Sequence, residues 1–304
     1  MLISLLKLIR WRNLVIVFIT QSIVWFHLTS KTLSYQNLTS NLSLLQFILL
    51  SLCTVLVAAA GYIINDIEDI KIDLINKPEK VIVGKYIMAK TCYSIYYLLL
   101  GIGCAIALVL AWQLDSLPYV LLYPLSAGAL HAYATHLKKT TLLGNILVSL
   151  FVAAVPMLVY LADADQISMA QNTRVYSILA LYSTLAFLAN LAREVVKDMQ
   201  DLKGDKVFGA HTFPIRYGFT NTKYLIHLIL MIILLILGYW SFVYDAHFQN
   251  AISIGFGSIP LMLIALGLMI YLASLKTATE FGKWSLGIKI FMLFGLIFLY
   301  LQPL

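Results

Sequence analysis

Apolar runs of about 20 residues recur along the whole of this chain, and each has the length that carries an α-helix across roughly 30 Å of hydrocarbon. Nine such runs can be marked, at 13–30, 44–64, 91–112, 117–135, 142–162, 175–193, 222–243, 251–273 and 284–301. Lipid offers no water to unpaired backbone N–H and C=O groups, so a spanning segment must satisfy them within itself, as a helix does. Composition agrees, because 61% of the 304 residues are hydrophobic and only 12% are charged, about half the charge of an ordinary soluble domain. The expected fold is all-α, a multi-pass transmembrane helical bundle of nine spans. No Gly/Ser linker or low-complexity tract divides it, so residues 1–304 are expected to form a single domain. The first run follows Lys7, Arg10 and Arg12 but lacks a small-residue cleavage site, so it is expected to remain as a span.

Nine spans make the loops alternate between two sides, and the charges follow that alternation. Of the 21 Lys and Arg residues, all but Lys31 and Arg174 fall on one side. The positive-inside rule places that side, with the N-terminus, in the cytoplasm. The net charge of +7 is therefore a topology signal, and the expected partner is the lipid bilayer, with no nucleic acid. Cys53, Cys92 and Cys104 lie in or beside spans without metal-ligand spacing and read as buried free thiols. His131 and His136 come near ligand spacing, but no further His or Cys completes a set. His27, His227 and His247 read as span or interface residues.

More than half of the chain's 14 carboxylates sit in two clusters, each following an even-numbered span on the cytoplasmic side. The first runs Asn65-Asp66-Ile67-Glu68-Asp69-Ile70-Lys71-Ile72-Asp73 and on to Asn76. Asp66, Asp69 and Asp73 are spaced i, i+3, i+7, which at about 100° per residue puts them on one helical face. The second contains Glu194, Asp198, Asp201 and Asp205, spaced i, i+4, i+7, i+11, which share a face if helix continues through Gly204. Solvated helix ends would explain one such run. Two like-charged stripes on one side of a membrane call for a cation, because carboxylates stacked on one face repel each other. Mg2+ suits oxygen ligands, keeps several waters and bridges one or two carboxylates to substrate phosphates. Nearby lysines, among them Lys71, Lys77, Lys80, Lys197, Lys203 and Lys206, add positive charge for a polyanion. A diphosphate head on a long hydrocarbon tail matches such a site above an apolar bundle.

At these residues the chain resembles the UbiA family of intramembrane prenyltransferases. Asn65-Asp66-x-x-Asp69-x-x-x-Asp73-x-x-Asn76-x-Pro78-x-Lys80 looks like the family's first Asp-rich motif, with Lys80-Val81 where the family often has Arg-Pro, and Gly84 follows. Asp198 and Asp201-x-x-x-Asp205 resemble the second. Arg10-x-x-Asn13, Tyr133-x-x-x-Leu137-Lys138 and Gly144-Asn145 are lesser matches. The flank from Arg193 through Pro214 looks most like the branch that transfers geranylgeranyl groups to geranylgeranylglycerol phosphate, in ether lipid biosynthesis.

The resemblance implies that Asp66, Asp69, Asp73, Asp198, Asp201 and Asp205 hold Mg2+ and act in catalysis. It implies a prenyl diphosphate donor and a lipophilic acceptor, with Asn13, Asn65, Asn76, Lys80, Tyr133, Lys138, Arg193 and Lys206 binding substrate. Tyr62 and Tyr133 are candidates to stabilise an allylic cation, and Lys139, Arg193 and Lys206 to receive an acceptor phosphate. The segments 67–90 and 203–221, with Gly84, Gly204 and Gly209, are candidates for a cap. A prokaryotic cytoplasmic membrane is the expected location, with the site facing the cytoplasm. Three alternatives remain open from sequence. One is an aromatic acceptor of the 4-hydroxybenzoate kind. Another is a cation-coupled transporter, although transporter acids tend to sit near the midplane. The third is a CDP-alcohol phosphotransferase, whose Asp-Gly-x-x-Ala-Arg pattern is absent. Prenyl length and oligomeric state are not readable.

Overall fold

A computed structural model describes residues 2–170, 173–245 and 257–302. Among these residues the protein is helical nearly throughout, with one isolated β-bridge between Val83 and Ile87. The helices are α1 (Leu2–Leu8), α2 (Trp11–Tyr35, passing through a π-helical stretch at Ile23–Thr29), α3 (Leu44–Glu68) and α4 (Ile70–Asn76). Then come α5 (Ala89–Gln113), α6 (Leu117–Thr135), α7 (Leu143–Ala162), α8 (Ala164–Met169) and α9 (Thr173–Gln200). The last are α10 (Leu202–Val207), α11 (Phe213–Tyr239), α12 (Ile259–Ser274) and α13 (Ala278–Tyr300).

All nine predicted runs meet helix. Seven of the helices, including α2, α3 and α9, are long and apolar enough to cross a membrane. The other two differ for physical reasons. The α6 helix carries Pro124, Ser126, His131 and Thr135, which lower its hydropathy. The α12 helix is 16 residues long, and residues 251–256 of that run lie outside the described residues, as does His247. Large apolar side chains such as Trp112 and Phe242, both 83% exposed, point away from the protein. Apolar exposure on that scale marks a lipid-facing surface. The protein is an integral, multi-pass membrane protein.

The helix starts are written locally. Ser43 and Gln46 form a reciprocal cap at the N-terminus of α3, and Thr277 and Glu280 do the same for α13. Such boxes satisfy two otherwise orphaned N–H groups. Several helices extend past the apolar runs, since hydropathy locates the lipid boundary and not the helix end. The α9 helix, for example, runs seven residues past Arg193 to Gln200.

The chain divides into two compact units. One comprises residues 1–138 and 158–170, the other 139–157 and 171–304. In the first unit α3 is the central helix, packed on α2, α5 and α6. Gln21 Nε2 donates to Thr54 Oγ1 at 3.2 Å, and Thr54 Oγ1 and Tyr123 Oη pair at 2.8 Å. Interhelical hydrogen bonds of this kind contribute about 0.6–2 kcal/mol each in a membrane. Gly61 lets α6 come close, since a Cβ there would stand 3.0 Å from Leu130 Cδ1. At another point in this unit Asp163 is fully buried and accepts from Ser40 Oγ at 2.8 Å and Asn41 N at 2.7 Å. That clasp ties the α2–α3 connection to the start of α8. In the second unit α9 packs on α11 and α13, and α12 packs on both of those. Trp284 Nε1 donates to Leu268 O at 2.9 Å, and Lys223 Nζ caps the end of α12 through Leu275 O at 2.7 Å.

Candidate functional site

Each unit contains one acidic cluster, and the two are built on the same backbone device. In the first unit α3 stops at Glu68, Asp69 takes φ −90° and ψ −1°, and α4 begins at Ile70. The hydrogen-bond ladder nevertheless runs on, from Asp69 N to Asn65 O at 2.9 Å and from Asp73 N to Asp69 O at 2.8 Å. In the second unit α9 stops at Gln200, Asp201 takes φ −96° and ψ 8°, and α10 begins at Leu202. There the ladder runs from Asp201 N to Lys197 O at 2.9 Å and from Asp205 N to Asp201 O at 3.1 Å. Helix does continue through Gly204, inside α10, but neither stripe lies on one uninterrupted helix. Each helix jogs at its central aspartate, while i to i+4 bonds keep neighbouring turns in register.

In the first cluster the carboxylates are held by cations from distant segments. Arg10 Nη2 donates to Asp66 Oδ1 at 2.8 Å. Lys138 Nζ, from the 3-10 turn Leu137–Lys139, donates to Asp69 Oδ1 at 2.6 Å. Asn65 Nδ2 donates to the other oxygen, Asp69 Oδ2, at 2.8 Å. Arg10 stands at the corner between α1 and α2 with φ 51° and ψ 50°, a left-handed conformation uncommon for a residue with a side chain. Its guanidinium lies 4.8 Å over the Tyr62 ring, and Asn13 Nδ2 donates to Tyr62 Oη at 3.4 Å. The Tyr62 face proposed for an allylic cation therefore already carries a cation. Asp73 and Asn76 are half-buried on α4, Tyr133 is half-buried near the end of α6, and Lys80 is exposed after α4.

In the second cluster Asp198 is held by a neutral amide, with Asn145 Nδ2 donating to Asp198 Oδ2 at 2.8 Å. Asn145 is itself buried and anchored, because its carbonyl accepts from Ser149 Oγ at 2.6 Å and Asn190 Nδ2 donates to Ser149 Oγ at 3.1 Å. Glu194 is buried and takes both local cations, Arg193 Nη1 at 2.7 Å and Lys197 Nζ at 2.8 Å. Asp201 and Asp205 are half-buried, and Lys206 is exposed. Gly209 ends α10 at φ 68°, with Ala210 N donating back to Asp205 O at 2.9 Å. This is the left-handed helix stop that glycine adopts without Cβ strain. Lys139 O accepts from His211 N at 2.7 Å, which fastens the turn before α11. The proposed cap segments are in this sense ordered, as α4 with a short turn after it and as α10.

In the sequence Arg10 and Asn145 stand only in minor matches to the family, and Glu194 stands in the acidic stripe. Lys197, three residues on from Glu194 and so on the same face, was a usable sign of that pairing. Nothing local announces Arg10 with Asp66.

Among the described residues no three of His, Cys, Asp and Glu converge as a cage for a metal ion. The donor set still fits Mg2+. That ion asks for hard oxygens and needs only one or two carboxylates when water and phosphate oxygens complete its shell. Each cluster by itself offers such oxygens from half-buried side chains, Asp66, Asp69 and Asp73 in the first and Asp198, Asp201 and Asp205 in the second.

Residues 23–293 match the UbiA prenyltransferase family. The digeranylgeranylglyceryl phosphate synthase of Methanosarcina mazei is 32% identical over 297 residues, 96% of this chain and 95% of its own length. A solved structure concerned with digeranylgeranylglyceryl phosphate synthase in membranes shares the fold at TM-score 0.67, 23% identity, and 98% and 97% coverage. A UbiA homologue from Archaeoglobus fulgidus, bound to GPP and Mg2+, shares it at TM-score 0.60, 14% identity, and 97% and 99% coverage.

Proposed function

We propose, from the premise that this chain belongs to the UbiA prenyltransferase family and is a prenyltransferase, that it moves a geranylgeranyl group from its diphosphate to geranylgeranylglyceryl phosphate. The observation that carries this choice of acceptor is the end-to-end similarity to the Methanosarcina mazei synthase, over 95% of that enzyme's length.

The reaction breaks the bond between the prenyl C1 and a diphosphate oxygen and joins C1 to an acceptor hydroxyl oxygen, which gives up its proton. Asp66, Asp69 and Asp73, and Asp198, Asp201 and Asp205, are the proposed Mg2+ ligands. When bound, the metal neutralises the diphosphate and stabilises charge on it as it leaves. Asn65 fixes one oxygen of Asp69, and Asn145 fixes one of Asp198. Lys138 and Lys80 are the proposed cations for the remaining diphosphate charge, with Asn13, Asn76 and Tyr133 lining the donor side. Lys139, Arg193 and Lys206 are proposed for the acceptor phosphate, with Arg193 shared with Glu194. The charge asymmetry of the loops supports a site on the cytoplasmic face.

The test is an in vitro assay with Mg2+, labelled geranylgeranyl diphosphate and a panel of acceptors. Label should pass to geranylgeranylglyceryl phosphate. Transfer to 4-hydroxybenzoate, with none to the glyceryl phosphate, would overturn the acceptor. If Lys139→Ala and Arg193→Ala leave acceptor KM unchanged while transfer persists, the phosphate-binding roles are wrong.

A further inference from the structure

We propose that α1 is an interfacial anchor. It lies among the lipid headgroups at the membrane edge beside the first acidic cluster. Leu2, Ile3 and Leu6 meet acyl chains there, and Lys7 and Arg12 meet the phosphates of anionic phospholipids. The anchor is independent of the acceptor and of the metal.

Three observations carry it. First, packing fixes the depth of α1. Leu8 is fully buried in one cluster with Ala60, Ile63, Ile64 and Ile67, and Leu5 and Ile9 pack against that cluster. Those partners belong to the last turns of α3, which is long and apolar enough to cross a membrane and ends at Glu68. A helix docked there stands where the span leaves the hydrocarbon.

Second, the outward face of α1 is apolar. Leu2 and Ile3 are 69% and 70% exposed, and Leu6 is exposed as well. A helix that faces water carries polar residues on its outer side. At about 100° per residue, Leu2, Leu6, Ile3 and Lys7 share an arc of roughly 140° on the side away from Leu8. The exposed apolar residues then continue on one face of the spanning helix α2, as Trp11, Val15 and Phe18. The face of α1 is thus continuous along the chain with a surface that lipid already covers.

Third, the cations stand at the boundary. Lys7 and Arg12 are exposed on either side of the corner at Arg10, and the Arg12 guanidinium lies 5.8 Å over the Trp11 ring. Tryptophan favours the headgroup level. An apolar face flanked by Lys and Arg is the pattern of helices that bind anionic leaflets. The chain has no acidic residue before Asp66, and Asp66 meets Arg10.

Bimane fluorescence tests this on purified full-length protein carrying Ile3→Cys with Cys104→Ser, since Cys53 and Cys92 are buried. The nanodiscs contain phosphatidylcholine and phosphatidylglycerol, and one or the other carries a doxyl quencher. Aqueous acrylamide should quench the label at position 3 several-fold less than a label at Glu79→Cys, an exposed position. Doxyl phosphatidylglycerol should quench it several-fold more than doxyl phosphatidylcholine at equal content. Lys7→Gln with Arg12→Gln should remove most of that preference, about fivefold per cation, at an unchanged melting temperature. Equal acrylamide quenching at positions 3 and 79, with none from doxyl lipid, overturns the anchor. Equal quenching by the two doxyl lipids, or a preference that survives Lys7→Gln with Arg12→Gln, overturns the recognition of anionic headgroups.

Discussion

At Asp69 and at Asp201 the chain makes the same turn, a helix that stops, jogs through one aspartate and resumes for about two turns with its hydrogen bonds unbroken. What grips the carboxylates differs. Asp66 and Asp69 are met by Arg10 and Lys138 from far along the chain. Asp198 is met by a buried amide, and the nearby cations Arg193 and Lys197 both reach Glu194. A shared backbone device thus presents two carboxylates, Asp66 and Asp69, bonded to cations from distant segments, and one, Asp198, bonded to a distant amide. The lesson is that Asp spacing specifies where carboxylates stand, while their electrostatic state is set by whatever the fold packs beside them.

The harshest way to break the comparison is to remove a ligand from either side. Asp66→Ala and Asp201→Ala should each lower prenyl transfer by about 10³-fold or more, since charge on the leaving group loses its preorganised partner. Circular dichroism and monodisperse elution should show that both variants still fold. Near-normal turnover in one of them would mean that the clusters do not share the chemistry.

Asn145→Ala should cost about 10- to 100-fold in Mg2+ affinity or turnover, the usual scale for a residue that orients a metal ligand. Asn145→Asp should be worse, because it sets a second carboxylate against Asp198. Equal activity of wild type and Asn145→Ala would remove the neutral aim from the account.

Glu194→Gln sharpens the contrast in the other direction. It strands Arg193 and Lys197 beside a neutral group, so its main cost should be stability, about 3 kcal/mol, read as a lower melting temperature in detergent. A loss of turnover with unchanged stability would place Glu194 among the ligands instead.

Asp163 is a control outside both clusters. Burial pushes its carboxyl above the usual carboxylate range, against the pull of hydrogen bonds from Ser40 and Asn41. The folded state then holds the proton more tightly than the unfolded chain. The sign follows: stability should fall as pH rises from about 4 through the raised value, by at most about 1.4 kcal/mol per pH unit. Melting temperature followed against pH should show this slope in wild type and a flatter one in Asp163→Asn, with prenyl transfer unaffected. Identical profiles would mean that Asp163 does not titrate in that window.

Much of this protein could be read from its residues. Helices appear in all nine apolar runs, and the two acidic clusters and the family follow from motifs such as Asn65-Asp66-x-x-Asp69. These are local properties: hydropathy over about 20 residues, spacing along a single helix, and caps such as Ser43 with Gln46. Helix ends were less legible, as at α9, because a helix that leaves the lipid loses its apolar signal but keeps its hydrogen bonds. The jogs at Asp69 and Asp201 were invisible, since near-helical dihedrals leave no mark in composition. Only the tertiary structure decided which cation meets which carboxylate, and that an amide serves Asp198. Those partners lie 56, 69 and 53 residues apart, where packing of whole helices sets the contact and no local pattern records it.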